Sequence, residues 1–180
     1  MLWNDRRTSG AELCVFESAG APRFTGTVVV AFERVPHEIR YELIADADWH
    51  TRRAEIIVRS PHTTRVLSLT ADGRGAWKRE GRPVHELSGC LDIDLGVTPS
   101  TNTLAIRRLG LQKGQAKDLY AAWVGFPNLE LQKLEQRYEK VDDNLFRYSS
   151  PGFSALLSVD EHGVVLDYEG LWQAVAAARL

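Results

Sequence analysis

The sequence predicts an all-β protein of more than ten antiparallel strands, curled around an apolar interior as a sandwich or an open barrel. Three observations carry this prediction. Short runs of alternating apolar and polar residues recur along most of the chain. Glycine- and aspartate-containing turn signals separate these runs at even spacing. Long helical segments do not alternate with them, which argues against a parallel α/β sheet.

The predicted strands follow one another from residue 26 to residue 168. Asp72-Gly73 and the segment 160–163 are typical hairpin turns, because glycine there permits positive φ. The runs in order are 26–33, 40–47, 53–60, 64–70, 75–80, 91–96, 102–109, 118–126, 145–150, 153–159 and 163–168.

Two segments depart from this pattern. In residues 129–141, Leu131, Leu134 and Tyr138 fit helical spacing, but they also fit a strand whose facing changes at a bulge. Periodicity leaves both readings open. The alanine-rich tail predicts a short C-terminal helix over residues 171–178.

Bulk properties limit the possible functions. With 180 residues the chain is most simply one domain, 1–180, and a net charge of −2 gives no reason to expect nucleic-acid binding. Neither a membrane span nor an apolar leader is visible, so we expect a cytoplasmic protein. Cys14 and Cys90 are expected to be buried thiols. The sequence contains no metal-ligand spacing and no phosphate-binding loop, so we expect no metal and no cofactor.

The stretch GCLDIDLGVTPSTNTLAIRRLGL, residues 89–111, concentrates paired polar groups. If residues 91–95 and 104–108 form a hairpin with Leu95 opposite Leu104, the aliphatic residues share one face. The opposite face then carries Asp92, Asp94 and Arg107. This register predicts a cross-strand salt bridge between Asp92 and Arg107.

Three roles remain open for the two aspartates: structural ion pairing, ligand contact and catalysis. Their spacing of roughly 6.6 Å on one strand face overlaps that of inverting glycosidases. A nearby arginine would nevertheless keep both ionised and remove the general acid. A second cluster of polar residues surrounds His50 and includes Asp46 and Asp48. An aspartate-rich turn explains that group with the fewest assumptions.

The same central motif resembles a bacterial family labelled Putative glycolipid-binding proteins. The resemblance extends over YELIADADWHTRRAEI, LSLTADGRGAW, LSGCLDIDLGVTPSTNTLAIRRL, VGFPNLEL and VDEHGVVLDYEGLW, which cover nearly the whole chain. It implies a long antiparallel sheet curved into an open barrel, similar to the half-barrels of the lipoprotein carriers LolA and LolB. It also implies that 129–141 is a strand. Ala105 and Glu169 stand where the family usually has proline. No catalytic residues come with the resemblance.

The leading functional hypothesis is a non-enzymatic carrier or sensor of a glycolipid or another amphiphile, with acyl chains in the half-barrel and a polar rim at its mouth. One alternative is a small hydrolase acting on glycosides with Asp92 and Asp94. Another is a β scaffold for protein–protein interaction. The candidate ligand-binding residues are Asp92, Asp94, Thr101, Asn102, Arg107 and Arg108, together with the aromatic residues Trp49, Trp77 and Trp123.

Overall fold

Fifteen strands, one α-helix and a short 3₁₀ helix make up the regular structure of residues 1–7 and 10–178, which the computed structural model describes. The 3₁₀ helix spans His85–Leu87 and α1 spans Asn102–Leu109. The strands are β1 (Leu2–Asp5), β2 (Ala11–Glu17), β3 (Arg23–Phe32), β4 (Val35–Ala45), β5 (Thr51–Arg59), β6 (Thr64–Ala71), β7 (Trp77–Arg79), β8 (Arg82–Pro83), β9 (Asp92–Leu95), β10 (Ala116–Gly125), β11 (Glu130–Asp142), β12 (Leu145–Ser150), β13 (Phe153–Val159), β14 (Val165–Tyr168) and β15 (Trp172–Ala176).

All fifteen strands belong to one sheet in the order β8-β7-β6-β5-β4-β3-β2-β1-β15-β14-β13-β12-β11-β10-β9. Most neighbours in the sheet are also neighbours in sequence, because tight turns join them. In the β6–β7 turn, the Asp72 carboxylate accepts hydrogen bonds from the backbone N–H groups of Arg74 (2.7 Å) and Ala76 (2.9 Å). The predicted class, an open and mostly antiparallel sheet of more than ten strands, is therefore confirmed.

Buried and exposed residues alternate strictly along the long strands, so one face of the sheet packs on the core. In β4, Ile39, Tyr41, Leu43 and Ala45 are each no more than 2% exposed, whereas the residues between them are partly or fully exposed. Cys14 and Cys90 are both free and buried, as expected. Within the described residues, no helix is long and apolar enough to cross a membrane.

The predicted hairpin of residues 91–95 and 104–108 is wrong. β9 pairs in parallel with β10, and residues 102–109 form α1 instead of a strand. Parallel strands need a crossover connection, and α1 lies in it. Periodicity did not distinguish helix from strand, because the run has only eight residues and its aliphatic residues Leu104 and Ile106 also fit the alternation of a strand. Gly110 ends α1 in the left-handed region, with φ 53°.

The segment containing β9 and α1 lies against strands from both halves of the sheet. The Thr51 N–H donates to Leu91 O (3.0 Å), and the Ile93 N–H donates to Thr51 Oγ1 (3.0 Å), so the outer edge of β9 meets the start of β5. Both faces of β9 are largely enclosed, since Asp92 on one face and Ile93 on the other are at most 2% exposed. These contacts hold Asp92 and Asp94 inside the curve of the sheet.

The predicted C-terminal helix over 171–178 is also wrong. Residues Trp172–Ala176 form β15, which pairs with β14 and β1. Strand pairing on both sides overrides the helix propensity of alanine, which is a weak preference. Residues 129–141 are almost entirely strand, as the family resemblance implied, and the long pairing of β11 with β10 explains this.

Candidate functional site

A cleft of about 300 Å³ opens between the ends of strands β9 to β15, and five aromatic side chains line it. This volume lies at the lower end of the range for small-molecule sites, which begins at roughly 300 Å³. We call it the aromatic cleft. Its lining residues are Arg7, Asp94, Leu95, Gly96, Thr98, Asn102, Trp123, Gln132, Leu134, Tyr148, Ser150, Phe153, Tyr168, Leu171 and Trp172.

Three rings form a continuous wall of this cleft. The centroids of Tyr148 and Phe153 are 6.1 Å apart, those of Phe153 and Tyr168 are 6.2 Å apart, and those of Tyr148 and Tyr168 are 6.1 Å apart. The buried Tyr138 ring packs edge-on against Tyr148 at 5.2 Å. Inward positions of β12 and β14 supply the two tyrosines. Mutual packing therefore keeps these rings in place.

Asp94 is the acidic group of the cleft. Its Oδ2 accepts a hydrogen bond from Gln136 Nε2 (2.6 Å), and its Oδ1 accepts one from Thr101 Oγ1 (3.3 Å). Burial raises the pKa of Asp94 to about 6, although these two hydrogen bonds act in the opposite direction. At neutral pH the side chain is therefore mainly a carboxylate, and it presents acceptor oxygens to the cleft.

Asp92 has a different role from Asp94. The Arg108 guanidinium donates to both of its oxygens, from Nε at 2.8 Å and from Nη2 at 2.5 Å, and Asp92 is only 2% exposed. The predicted Asp92–Arg107 salt bridge is therefore wrong. In a helix consecutive side chains point about 100° apart, so α1 directs Arg108 towards Asp92 and Arg107 elsewhere.

The other predicted residues are distributed over three places. Arg107 stacks on Trp49, with its guanidinium carbon 5.0 Å from the ring centroid. Trp77 is a core residue that is 2% exposed, and its Nε1 donates to Cys90 O (2.8 Å). Trp123 lines the aromatic cleft. The structure therefore brings only part of the predicted set together.

Asn102 borders the cleft but is engaged internally. Its Oδ1 accepts a hydrogen bond from Tyr138 Oη (2.8 Å), and its Nδ2 donates to Pro99 O (3.1 Å). Only 6% of the residue is exposed. Thr101, which is 3% exposed, likewise uses its hydroxyl on Asp94. Both side chains therefore hold the start of α1 and the carboxylate in place.

Sequence reasoning missed the aromatic wall and Gln136. The available signal was an aromatic residue in each of three successive strand-like runs, at Tyr148, Phe153 and Tyr168. Alternation alone does not reveal that these rings meet, because the meeting depends on the pairing of β12, β13 and β14.

Another buried carboxyl group, that of Glu12, lies behind the loop between β9 and α1. Glu12 is 0% exposed, and its Oε1 accepts hydrogen bonds from Tyr41 Oη and from Thr98 Oγ1 (2.8 Å). The Tyr41 hydroxyl also contacts Ser100 Oγ at 2.7 Å. Burial raises the pKa of Glu12 to about 7. Because Thr98 also lines the aromatic cleft, this cluster ties the loop that borders the cleft to β2 and β4.

The group formed by Asp46, Asp48 and His50 is a turn. Asp46 Oδ1 accepts from the backbone N–H groups of Asp48 (3.0 Å) and His50 (3.0 Å), as the sequence suggested. Arg52 Nη1 lies 3.4 Å from Asp46 Oδ2, so a positive charge already faces this carboxylate.

Comparisons with known proteins agree with the fold. A crystal structure of a DUF1089 family protein from Pseudomonas aeruginosa is 37% identical, with a TM-score of 0.85 over 91% of this chain and 92% of that chain. A search of curated proteins finds no match. The family model described as Putative glycolipid-binding matches residues 1–174. This match covers nearly the entire length, and the chain therefore belongs to the Putative glycolipid-binding family.

Proposed function

We propose that the protein binds a glycolipid or a similar amphiphile in the aromatic cleft and performs no chemistry on it. The observation that carries this proposal is the combination of an aromatic wall with a hydrogen-bonded carboxylate in one open volume. Aromatic faces pack against hydrocarbon chains and against the C–H faces of sugars. Carboxylate and amide oxygens accept hydrogen bonds from sugar hydroxyls. The cleft thus offers partners to both halves of an amphiphile.

The proposed position of the ligand differs from the one that the sequence predicts. The sequence predicts acyl chains in an apolar half-barrel interior, but the loop before α1 and the start of that helix occupy part of the concave side. There they contact Glu12, Tyr41 and Tyr138. The aromatic cleft lies beside them, and Leu134 and Leu171 add aliphatic surface to it. We therefore place the ligand in the aromatic cleft.

The distribution of carboxylates supports binding over hydrolysis. Glycosidases generally use two carboxyl groups that flank the scissile bond. Among the described residues that line the cleft, Asp94 alone carries a carboxyl group. Asp92 is paired with Arg108 in a bidentate arrangement and is almost completely buried. A glycosidase at this cleft would therefore lack the second carboxyl group.

Native mass spectrometry of freshly purified protein, followed by solvent extraction, tests this proposal. We expect a retained adduct whose extract contains both sugar and acyl components. Leu134→Glu, which places a charge in the cleft, should abolish the adduct. Val66→Glu is a matched control, because Val66 is 54% exposed and lies outside the cleft. Absence of any adduct, or equal retention by both variants, would contradict the proposal.

A further inference from the structure

We infer that Trp123 is a fixed stacking platform for a pyranose ring, and that the aromatic cleft selects a neutral glycoside head group over an anionic one. This inference rests on the proposed function and names the ligand class of the same site. It depends on three features: the two glycines beneath the indole, the polar residues on either side of it, and the charge of the cleft.

The indole of Trp123 lies across two glycines. A Cβ atom at Gly96 would fall 2.9 Å from Trp123 Nε1, and one at Gly125 would fall 2.7 Å from Cη2 and Cζ3 of the same ring. Neither glycine is among those with positive φ, so the backbone itself does not require glycine at either position. The absence of side chains there instead lets the ring lie flat over the ends of β9 and β10.

Hydrogen-bonding side chains flank this ring on both sides. The sheet register places Asp94 of β9 opposite Trp123 of β10, and Gln132 of β11 opposite Trp123 on its other side. Paired residues share one face of the sheet, and adjacent strands are about 4.8 Å apart. All three residues line the cleft. A sugar ring stacked on the indole would therefore have its edge hydroxyl groups within reach of a carboxylate and an amide.

The charge of the cleft favours a neutral head group. The hydrogen-bond partners of Asp94 are Gln136 and Thr101, which are both uncharged. The single cationic side chain among the described lining residues is Arg7, and its Nε lies 3.4 Å from Asp5 Oδ1. A phosphate or sulfate would bring a second negative charge to an unneutralised carboxylate, which is unfavourable in a partly buried site. Neutral hydroxyl groups carry no such penalty.

Isothermal titration calorimetry with n-octyl glucoside, n-octyl galactoside and n-octyl sulfate tests this inference below their micelle concentrations. The three compounds share one chain and differ only in the head group. We expect at least one glycoside to bind about tenfold or more tightly than the sulfate. Trp123→Ala and Gly125→Ala should each weaken glycoside binding by about tenfold, whereas Trp123→Phe should retain part of the affinity. Tyr120→Ala is the matched control, because Tyr120 is an exposed aromatic on the same strand outside the aromatic cleft.

The outcomes separate the two proposals. Gly125→Ala displaces only the far edge of a partly exposed ring. Circular dichroism should therefore show that the variant is folded, and calorimetry should show that its affinity is reduced. If that variant does not fold, Trp123→Ala and Trp123→Phe decide the question. Equal binding of glycosides and sulfate, unaffected by Trp123 substitution, would overturn the inference and leave amphiphile binding intact. Failure of every octyl compound to bind the wild-type protein would contradict the proposed function as well.

Discussion

Replacing Glu12 by glutamine should change how stability depends on pH. Glu12 is completely buried, and burial raises its pKa from 4.5 to about 7 in the folded protein. The folded state therefore holds this proton more tightly than the unfolded chain does. Its contribution to the free energy of unfolding is largest below pH 4.5, decreases as the pH rises to about 7, and is constant above that. The difference between the two pKa values corresponds to a decrease of about 3 kcal/mol in the free energy of unfolding between pH 4.5 and about pH 7.

Urea unfolding of the wild-type protein and Glu12→Gln at pH 5, 6, 7 and 8 measures the effect. Glutamine does not titrate, but it can accept the hydrogen bonds from Tyr41 and Thr98. Other titrating groups, including Asp94, are present in both proteins and cancel in the difference. The stability of the variant relative to wild type should therefore rise with pH, by about 2–3 kcal/mol between pH 5 and pH 8.

Val15→Thr, at an exposed position of the same strand, provides a control, since it adds and removes no titrating group and should leave the pH dependence unchanged. A stability difference between Glu12→Gln and wild type that stays constant with pH would refute the reasoning. A difference that falls with rising pH would mean that the folded state favours the ionised form of Glu12.

Three further predictions concern the contacts that hold the interior together. Arg108→Gln should lower the free energy of unfolding by about 3–5 kcal/mol, because it leaves buried Asp92 without its cation. The double variant with Asp92→Asn should cost less than the sum of the single changes in urea titrations. Gly26→Ala should cost about 1–3 kcal/mol or more, because the new Cβ would fall on the buried Tyr41 ring. Asn102→Ala should lower the free energy of unfolding by about 1–3 kcal/mol, which thermal melts monitored by circular dichroism would detect.

Most of the sheet could be predicted because its strands have one buried and one exposed face. Residues 64–70 and 145–150, for example, match β6 and β12 almost residue for residue. The strand β1 was missed because it has only four residues, and β2 was missed although it alternates between Gly10 and Gly20. The helix α1 was missed because it has only eight residues, and its aliphatic residues Leu104 and Ile106 also fit the alternation of a strand.

The candidate site could be predicted only in part. Alternation correctly placed Asp92 and Asp94 on one face of a strand, because period two holds whatever the partner strand is. The partner of Asp92 could not be predicted, since Arg108 reaches it from a helix. Trp123, Tyr148 and Tyr168 line the same cleft only because distant strands curve towards one another, and no local sequence pattern indicates that.

Nuclear magnetic resonance titration of the ¹⁵N-labelled protein with n-octyl glucoside tests the central claim most directly, because it locates the ligand. We predict shifts at the Trp123 indole N–H and at the backbone amides of Asp94 and Tyr168, which line the aromatic cleft. Shifts confined to the outer face of the sheet, where Leu13 is 58% and Val29 is 56% exposed, would contradict the claim that the aromatic cleft is the binding site.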